Sequence, residues 1–129
     1  ENILRIESDN VAAIIDYGVT LQNLGRHRQA LEMYDRALTI QPKNLDALIN
    51  KGSVLHTLQK YSEAITCYNI VLSHDKKNTM AIACKGLSVG EMGDILSAIK
   101  YFKKALSIDN DYDLAQISLD TAKRIMKSH

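Results

Sequence analysis

Proline, tryptophan and cysteine are scarce in this sequence. Its 129 residues include one proline, no tryptophan, two cysteines and six glycines, which are too few turn-forming residues for a turn-rich β protein. Leucine, isoleucine, alanine and lysine dominate instead, and most of these residues favour helix. Hydrophobic residues make up 46% and charged residues 24% of the chain, which excludes a disordered chain and predicts one globular domain.

An excess of one charge and long apolar runs are also missing. The chain has 16 basic and 15 acidic side chains, so no basic excess indicates a nucleic-acid partner. No apolar run approaches the ~18 residues of a membrane span, and no signal segment opens the chain. Cys67 and Cys84 form no CxxC pair and are too few for a disulfide scaffold, which predicts reduced thiols and a cytoplasmic protein.

An internal repeat organises the chain. Three series of residues recur every 34 positions. The glycine series is Gly18, Gly52 and Gly86, the alanine series is Ala30, Ala64 and Ala98, and the aromatic series is Tyr34, Tyr68 and Phe102. Because three series share one period, the chain divides into repeat one (11–44), repeat two (45–78) and repeat three (79–112).

Each repeat contains two striped helices. In repeat one, apolar residues recur at three- and four-residue steps from Ile14 to Leu24 and again from Ala30 to Leu38, as on one face of an amphipathic helix. A glycine inside a helix costs about 1 kcal/mol relative to alanine, so its recurrence predicts a second helix passing close by. We expect the alanine series to lie opposite the glycines and the aromatic series to fill space one turn further on.

This pattern resembles the tetratricopeptide repeat, a 34-residue unit with preferred small, bulky and aromatic positions. Repeat one carries the resemblance in Ile14, Tyr17, Gly18, Leu21, Ala30, Tyr34, Ala37 and Pro42. Repeats two and three match less fully, since Lys76 and Asn110 stand where the family has proline. The resemblance implies an all-α solenoid of antiparallel helix pairs with a C-terminal capping helix.

Both ends of the chain continue the repeat. Residues 2–10 align with 36–44, so we expect residues 1–10 to be the remnant of the second helix of a preceding repeat. The absence of that helix's partner predicts a weak homodimer through the N-terminal edge. At the other end, residues 113–129 are expected to form a capping helix whose apolar side covers repeat three. That side consists of Leu114, Ile117, Leu119, Ala122, Ile125 and Met126.

Catalytic and metal-binding motifs are missing. The sequence has no Gly-rich phosphate loop, no HExxH and no GxSxG motif. Its four histidines are scattered and have no second metal ligand three or four positions away. We therefore predict no enzymatic activity, no cofactor and no metal.

The inner wall of the solenoid is the candidate binding site. The first helices of stacked helix pairs line this wall, and the resemblance places it at unit positions 2, 5, 6, 9, 12 and 13. In repeat one the positions hold Ala12, Ile15, Asp16, Val19, Gln22 and Asn23; in repeat two Asp46, Ile49, Asn50, Ser53, His56 and Thr57; in repeat three Met80, Ala83, Cys84, Leu87, Gly90 and Glu91. We interpret them as residues that the core does not need. They include no lysine or arginine, which suits a groove for a partly apolar peptide.

One subclass of the family is disfavoured. Members that bind chaperone tails hold a C-terminal carboxylate with a clamp of lysine, arginine and asparagine residues. The five clamp positions here hold Ile15, Val19, Asn50, Met80 and Cys84, and only Asn50 matches. Shifting the clamp by one repeat gives no match. Without cations, a buried carboxylate would be unpaired and costly.

The expected function is non-catalytic protein–protein interaction by a fragment of a longer repeat protein, with a protein or peptide as partner. Two alternatives stay open: a docking or regulatory module of a larger enzyme, and self-association through the open end of the stack. The wall could also pack on further repeats of a longer array rather than bind a peptide.

Overall fold

Seven α-helices make up residues 10–128, the part of the chain that the computed structural model describes. They are α1 (Val11–Asn23), α2 (His27–Ile40), α3 (Leu45–Thr57), α4 (Tyr61–His74), α5 (Thr79–Glu91), α6 (Ile95–Ile108) and α7 (Asp113–Ser128). No strand occurs in that part of the chain, which confirms the predicted all-α fold. The predicted remnant helix at residues 1–10 lies outside the described residues, apart from Asn10.

The helices stack in chain order. Each helix packs on the one before and the one after it, and the first helices of successive pairs also touch, α1 with α3, α3 with α5 and α5 with α7. Three-residue connections join the two helices of each pair, so the helices of a pair run antiparallel. Helix α7 takes the place that a first helix would take in a fourth pair.

Asparagine starts each first helix. Asn10, Asn44 and Asn78 are extended N-cap residues, and each side-chain oxygen accepts a hydrogen bond from the backbone N–H three residues later, at 3.1, 2.9 and 3.0 Å. Such a cap stabilises a helix by about 1 kcal/mol relative to alanine. The same residue type at 34-residue spacing therefore sets where every new repeat begins.

The two helices of each pair meet where a glycine faces an aromatic ring. A Cβ added to Gly18 would lie 2.6 Å from Cε1 of Tyr34, and one added to Gly86 would lie 2.7 Å from Cε1 of Phe102. Gly52 and Tyr68 show the same overlap. The expectation that alanine lies opposite the glycine is therefore wrong. The ring occupies that place because only a residue without Cβ leaves room for an aromatic face.

The capping helix α7 buries fewer of its apolar residues against repeat three than the sequence predicts. Ala115, Leu119 and Ala122 are buried against α6 and its neighbours. The rest of the expected apolar side stays exposed, namely Leu114, Ile117, Ile125 and Met126. The expectation is wrong for these four because, among the described residues, α7 packs only on α5 and α6, which lie on one side of it.

A left-handed residue turns the chain between the two helices of each pair. Gly25 and Gly93 hold this place in repeats one and three with φ of 79° and 101°, whereas repeat two uses Gln59 with φ of 64°. For a residue with a side chain, this positive-φ conformation costs roughly 1–2 kcal/mol. Glycine avoids that strain, but part of the gain in stability is offset because glycine has more conformational freedom to lose on folding.

We expect Gln59→Gly to raise the free energy of unfolding by about 0.5–1 kcal/mol, because it relieves the positive φ. Urea unfolding with matched far-UV circular dichroism measures it. The control is Lys60→Gly, one residue further on, which should destabilise. An unchanged or lower midpoint for Gln59→Gly would show that Gln59 is unstrained.

We expect Gly52→Ala to lower the free energy of unfolding by about 1–3 kcal/mol, since the added methyl group overpacks the contact with Tyr68. In a Tyr68→Leu background the further loss should shrink, because the flat ring that occupies the space is gone. A double-mutant cycle of urea midpoints measures this coupling. Equal losses in both backgrounds would place the cost elsewhere, for example in the helix backbone.

Candidate peptide-binding groove

Most of the predicted wall residues are at least partly open to solvent. The exposed ones are Ala12, Asp16, Asn23, Asp46, Thr57, Met80 and Glu91. The half-buried ones are Val19, Gln22, Asn50, Ser53, His56, Cys84, Leu87 and Gly90. These side chains belong to α1, α3 and α5, which lie side by side. They form one surface, which we call the inner wall.

Three of the predicted site residues are core residues instead. Ile15 is 9% exposed, Ile49 is 8% exposed and Ala83 is fully buried. Ile49 packs in the same cluster as Ala81 of the next first helix, and Ala83 packs in the same cluster as Ala115 of α7. The interpretation that the core does not need them is wrong, because unit position 5 faces the following first helix. A charged substitution at Ile49 would therefore test packing and not binding.

Successive first helices meet along a boundary that we call a seam. Polar contacts join α1 and α3 at the seam between repeats one and two. The Gln22 side-chain amide donates to the Ser53 hydroxyl at 3.1 Å, and the Tyr34 hydroxyl donates to Oε1 of Gln22 at 2.8 Å. Burial raises the pKa of Tyr34 to about 12, so the phenol stays protonated and able to donate. Gln22, which lies on α1, thus links α2 to α3 by hydrogen bonds beneath the inner wall.

A histidine closes the next seam. Nδ1 of His56 lies 2.8 Å from the hydroxyl of fully buried Ser88, and its ring meets Tyr61 edge-on with centroids 5.1 Å apart. Desolvation lowers the pKa of His56, and the nearby Glu91 carboxylate opposes this in part. The neutral imidazole is therefore the form that the seam favours.

The third seam has no such bridge. Unit position 12, which holds Gln22 and His56 in the first two repeats, holds Gly90 in the third. A cavity of about 230 Å³ opens beside it, between α5, α6 and α7. Its lining is mainly apolar and comprises Gly86, Leu87, Gly90, Glu91, Ile95, Ala98, Phe102, Ile117, Ser118, Thr121, Ala122 and Ile125.

The α7 residues of this cavity were missed by the sequence-based prediction, which ended the wall at repeat three. Ile117, Ser118, Thr121 and Ile125 stand at positions 5, 6, 9 and 13 counted from Asp113. Extending the 34-residue register to the capping helix would have placed Ser118, Thr121 and Ile125 at wall positions. Ile117 stands at position 5, which is buried in the three repeats but exposed here, because no described first helix follows α7.

The lysines of the first helices are engaged away from the inner wall. Nζ of Lys51 pairs with Asp35 of α2 at 2.7 Å, and Nζ of Lys85 lies 4.9 Å above the ring centre of Tyr101 on α6. Both occupy unit position 7, which faces the second helix. The wall positions of α1, α3 and α5 carry the carboxylates of Asp16, Asp46 and Glu91 and no lysine or arginine.

The thiols of buried Cys67 and half-buried Cys84 add no reactive group to this surface. Cys67 and Cys84 are both unpaired. Desolvation by burial raises the pKa of each thiol above its ordinary value, which disfavours the nucleophilic thiolate. Within residues 10–128, no three His, Cys, Asp or Glu side chains gather as a metal site, and no helix there is long and apolar enough to cross a bilayer.

Family models of the tetratricopeptide repeat match residues 10–77 and residues 85–112. The chain belongs to the tetratricopeptide repeat family. Domains of this family are generally non-catalytic interaction modules, so membership supports a protein-interaction scaffold. A comparison with curated proteins found no match.

Solved tetratricopeptide repeat domains share the fold of this chain. The first such domain of Spaghetti (RPAP3), solved with the HSP90 peptide SRMEEVD, is 17% identical, with a TM-score of 0.83 over 91% of this chain and 93% of that one. The second domain of human RPAP3, solved with the HSP70 peptide SGPTIEEVD, is 22% identical, with 0.80 over 88% and 94%. The Sgt2 domain of Aspergillus fumigatus is 21% identical, with 0.84 over 91% and 79%.

We expect the wild-type protein to lose stability as the pH falls from 7.5 to 5.5 more steeply than His56→Gln does. The folded pKa of His56 lies below its unfolded value of about 6.5, so its contribution is complete above that value and is lost as the pH falls through the folded pKa. Urea midpoints across this range measure the difference. Parallel curves for the two proteins would contradict a lowered His56 pKa.

Proposed function

We propose that this chain is a non-catalytic scaffold that binds a segment of another protein along its inner wall. The observation that carries the proposal is the row of partly open side chains on α1, α3 and α5, continued by α7. Most of them are not buried in the core, and they offer both hydrogen-bonding and apolar groups. An extended segment recognised at alternate side chains suits such a surface.

The segment we propose differs from the peptides bound by the structural neighbours. Those peptides end in EEVD, with two glutamates, an aspartate and a terminal carboxylate. The corresponding clamp positions of this chain include Ile15, which is buried, and Cys84, whose thiol has a raised pKa. Neither supplies a cation, and desolvating an unpaired carboxylate costs several kcal/mol.

Further parts of the proposal concern the context of the chain. The cytoplasm suits the two unpaired cysteines, because such thiols stay reduced there. A docking module attached to a catalytic domain would use the same wall, so binding alone does not separate the two roles. Weak dimerisation through the N-terminal edge stays a prediction, and light scattering over a concentration series tests it.

We expect Asn50→Ala to weaken binding of a wall-bound peptide by about 5- to 10-fold, through loss of one hydrogen-bonding group. Asn50 is half-buried on α3 and has no role in the seam bridges. Peptides for the assay come from a displayed random library selected on the immobilised protein, and fluorescence anisotropy gives their affinity.

The matched control is Asn69→Ala, which removes the same group from an exposed position on α4. Both variants should keep the helicity and urea midpoint of the wild type. Equal weakening by the two substitutions, or weakening by Asn69→Ala alone, would move the binding surface away from the inner wall.

A further inference from the structure

We propose that the cavity beside Gly90 is an anchor pocket for one large apolar side chain, and that Glu91 pairs with a lysine or arginine next to that side chain. The proposal rests on the proposed function and names the partner class: a cationic segment with a single apolar anchor.

The missing seam bridge is the first argument. Gln22 and His56 fill the seams of repeats one and two and bond to hydroxyl groups across them. In the third seam Gly90 has no side chain, and the α7 hydroxyl of Thr121 bonds to its own helix at Ile117 O. The described residues leave the cavity beside Gly90 unfilled, although α5 and α7 stay in contact through Ala83 and Ala115.

The lining and the size of the cavity define its occupant. Its walls come from Leu87, Ile95, Phe102, Ile117 and Ile125, so water inside it would find few hydrogen-bonding partners. A volume of about 230 Å³ is below the 300–1,000 Å³ of pockets that hold drug-sized molecules. One leucine, methionine or phenylalanine side chain is the fitting ligand. Ile117 is 64% exposed, and such an anchor would cover it.

Charge selects the neighbours of the anchor. Glu91 is the one charged residue among those that line the cavity, and it is exposed. Asp16 and Asp46 carry the same charge further along the wall. At the wall positions of α7 the single cation is Arg124, whose guanidinium lies 3.4 Å from the Thr121 hydroxyl and outside the lining. A cationic segment therefore meets opposite charge along most of the wall, and an acidic one meets repulsion.

A packed second helix is a poorer occupant. In repeat one the face that receives the second helix includes Ile14, Gly18 and Leu21, all of them buried. The equivalent positions of α7 hold Gln116, Asp120 and Lys123, all of them exposed. The polar face is tied together by a hydrogen bond from Gln116 to Asp120 at 3.1 Å. The apolar surface of α7 that lines the cavity lies on its inner-wall side instead.

The test is selection of nine-residue peptides from a displayed random library on the wild-type protein, followed by affinity measurements on variants. We expect enriched peptides to share one large aliphatic or aromatic residue beside lysine or arginine. Gly90→Gln, which restores the residue type of the first seam, should weaken their binding about 10-fold or more by filling the cavity; its Cβ would lie 3.3 Å from Cβ of Ala98, so its urea midpoint is measured as well. Ile117→Ala should weaken it about 3- to 10-fold, and Glu91→Gln about 2- to 5-fold with a smaller salt dependence.

Matched controls lie on the second helices. Ile70→Ala removes an equally large, exposed side chain from α4, and Glu32→Gln removes an exposed charge from α2; neither should change the affinity. Circular dichroism shows whether Gly90→Gln folds. If Gly90→Gln does not fold, the affinity of Ile117→Ala tests the anchor pocket instead, because truncating this exposed side chain leaves the core untouched.

Two outcomes overturn the anchor pocket and leave the proposed function standing: enrichment of acidic peptides, or peptides that Asn50→Ala weakens while Gly90→Gln and Ile117→Ala do not. Failure to enrich any peptide sensitive to the wall variants overturns both. A concentration-dependent dimer of the wild type that Gly90→Gln abolishes would assign the cavity to a second copy of the chain and overturn the cationic partner.

Discussion

The close contact between a glycine of the first helix, which has no side chain, and an aromatic ring of the second helix underlies the whole architecture. At Gly18, Gly52 and Gly86 the ring of the second helix lies where a Cβ would be. This contact brings the two helices of a pair together and buries the large rings Tyr34 and Tyr68 almost completely. It also fixes the rotation of each first helix, because only the glycine side can face the ring.

That rotation decides which residues reach the inner wall. With position 8 against the ring, position 7 also points toward the second helix, where Lys51 and Lys85 find an acidic and an aromatic partner. Position 5 points to the next repeat and is buried, as at Ile49. The remaining positions are left partly open, and among them acidic, amide and small apolar residues predominate. The chemical character of the wall is therefore a consequence of how the pairs are packed.

The seams between repeats differ in a way that bears on function. Each seam needs a residue at position 12 to fill the gap between successive first helices. Gln22 does so with two hydrogen bonds, and His56 does so with one hydrogen bond and an aromatic contact. Gly90 leaves the third gap open, so the same geometry that makes a sealed seam elsewhere makes a pocket here.

The 34-residue period made the fold and the helix pairs predictable, since periodic glycine, alanine and aromatic residues report one repeated packing arrangement. Details that depend on three-dimensional packing were less accessible. Within a repeat, the periodicity did not show that Tyr34 faces Gly18. Between repeats, it did not show that Ile15, Ile49 and Ala83 face the next first helix. Nor did it show that a single glycine opens a cavity, because that depends on side chains from three helices meeting in space.

Chemical-shift mapping with an isotope-labelled sample and a selected peptide tests the central claim most directly. The account predicts that the largest amide shifts fall on α3, α5 and the inner side of α7, around Asn50, Leu87 and Thr121, with little change on α2 and α4. Shifts concentrated on the exposed faces of α2, α4 and α6 would contradict binding at the inner wall.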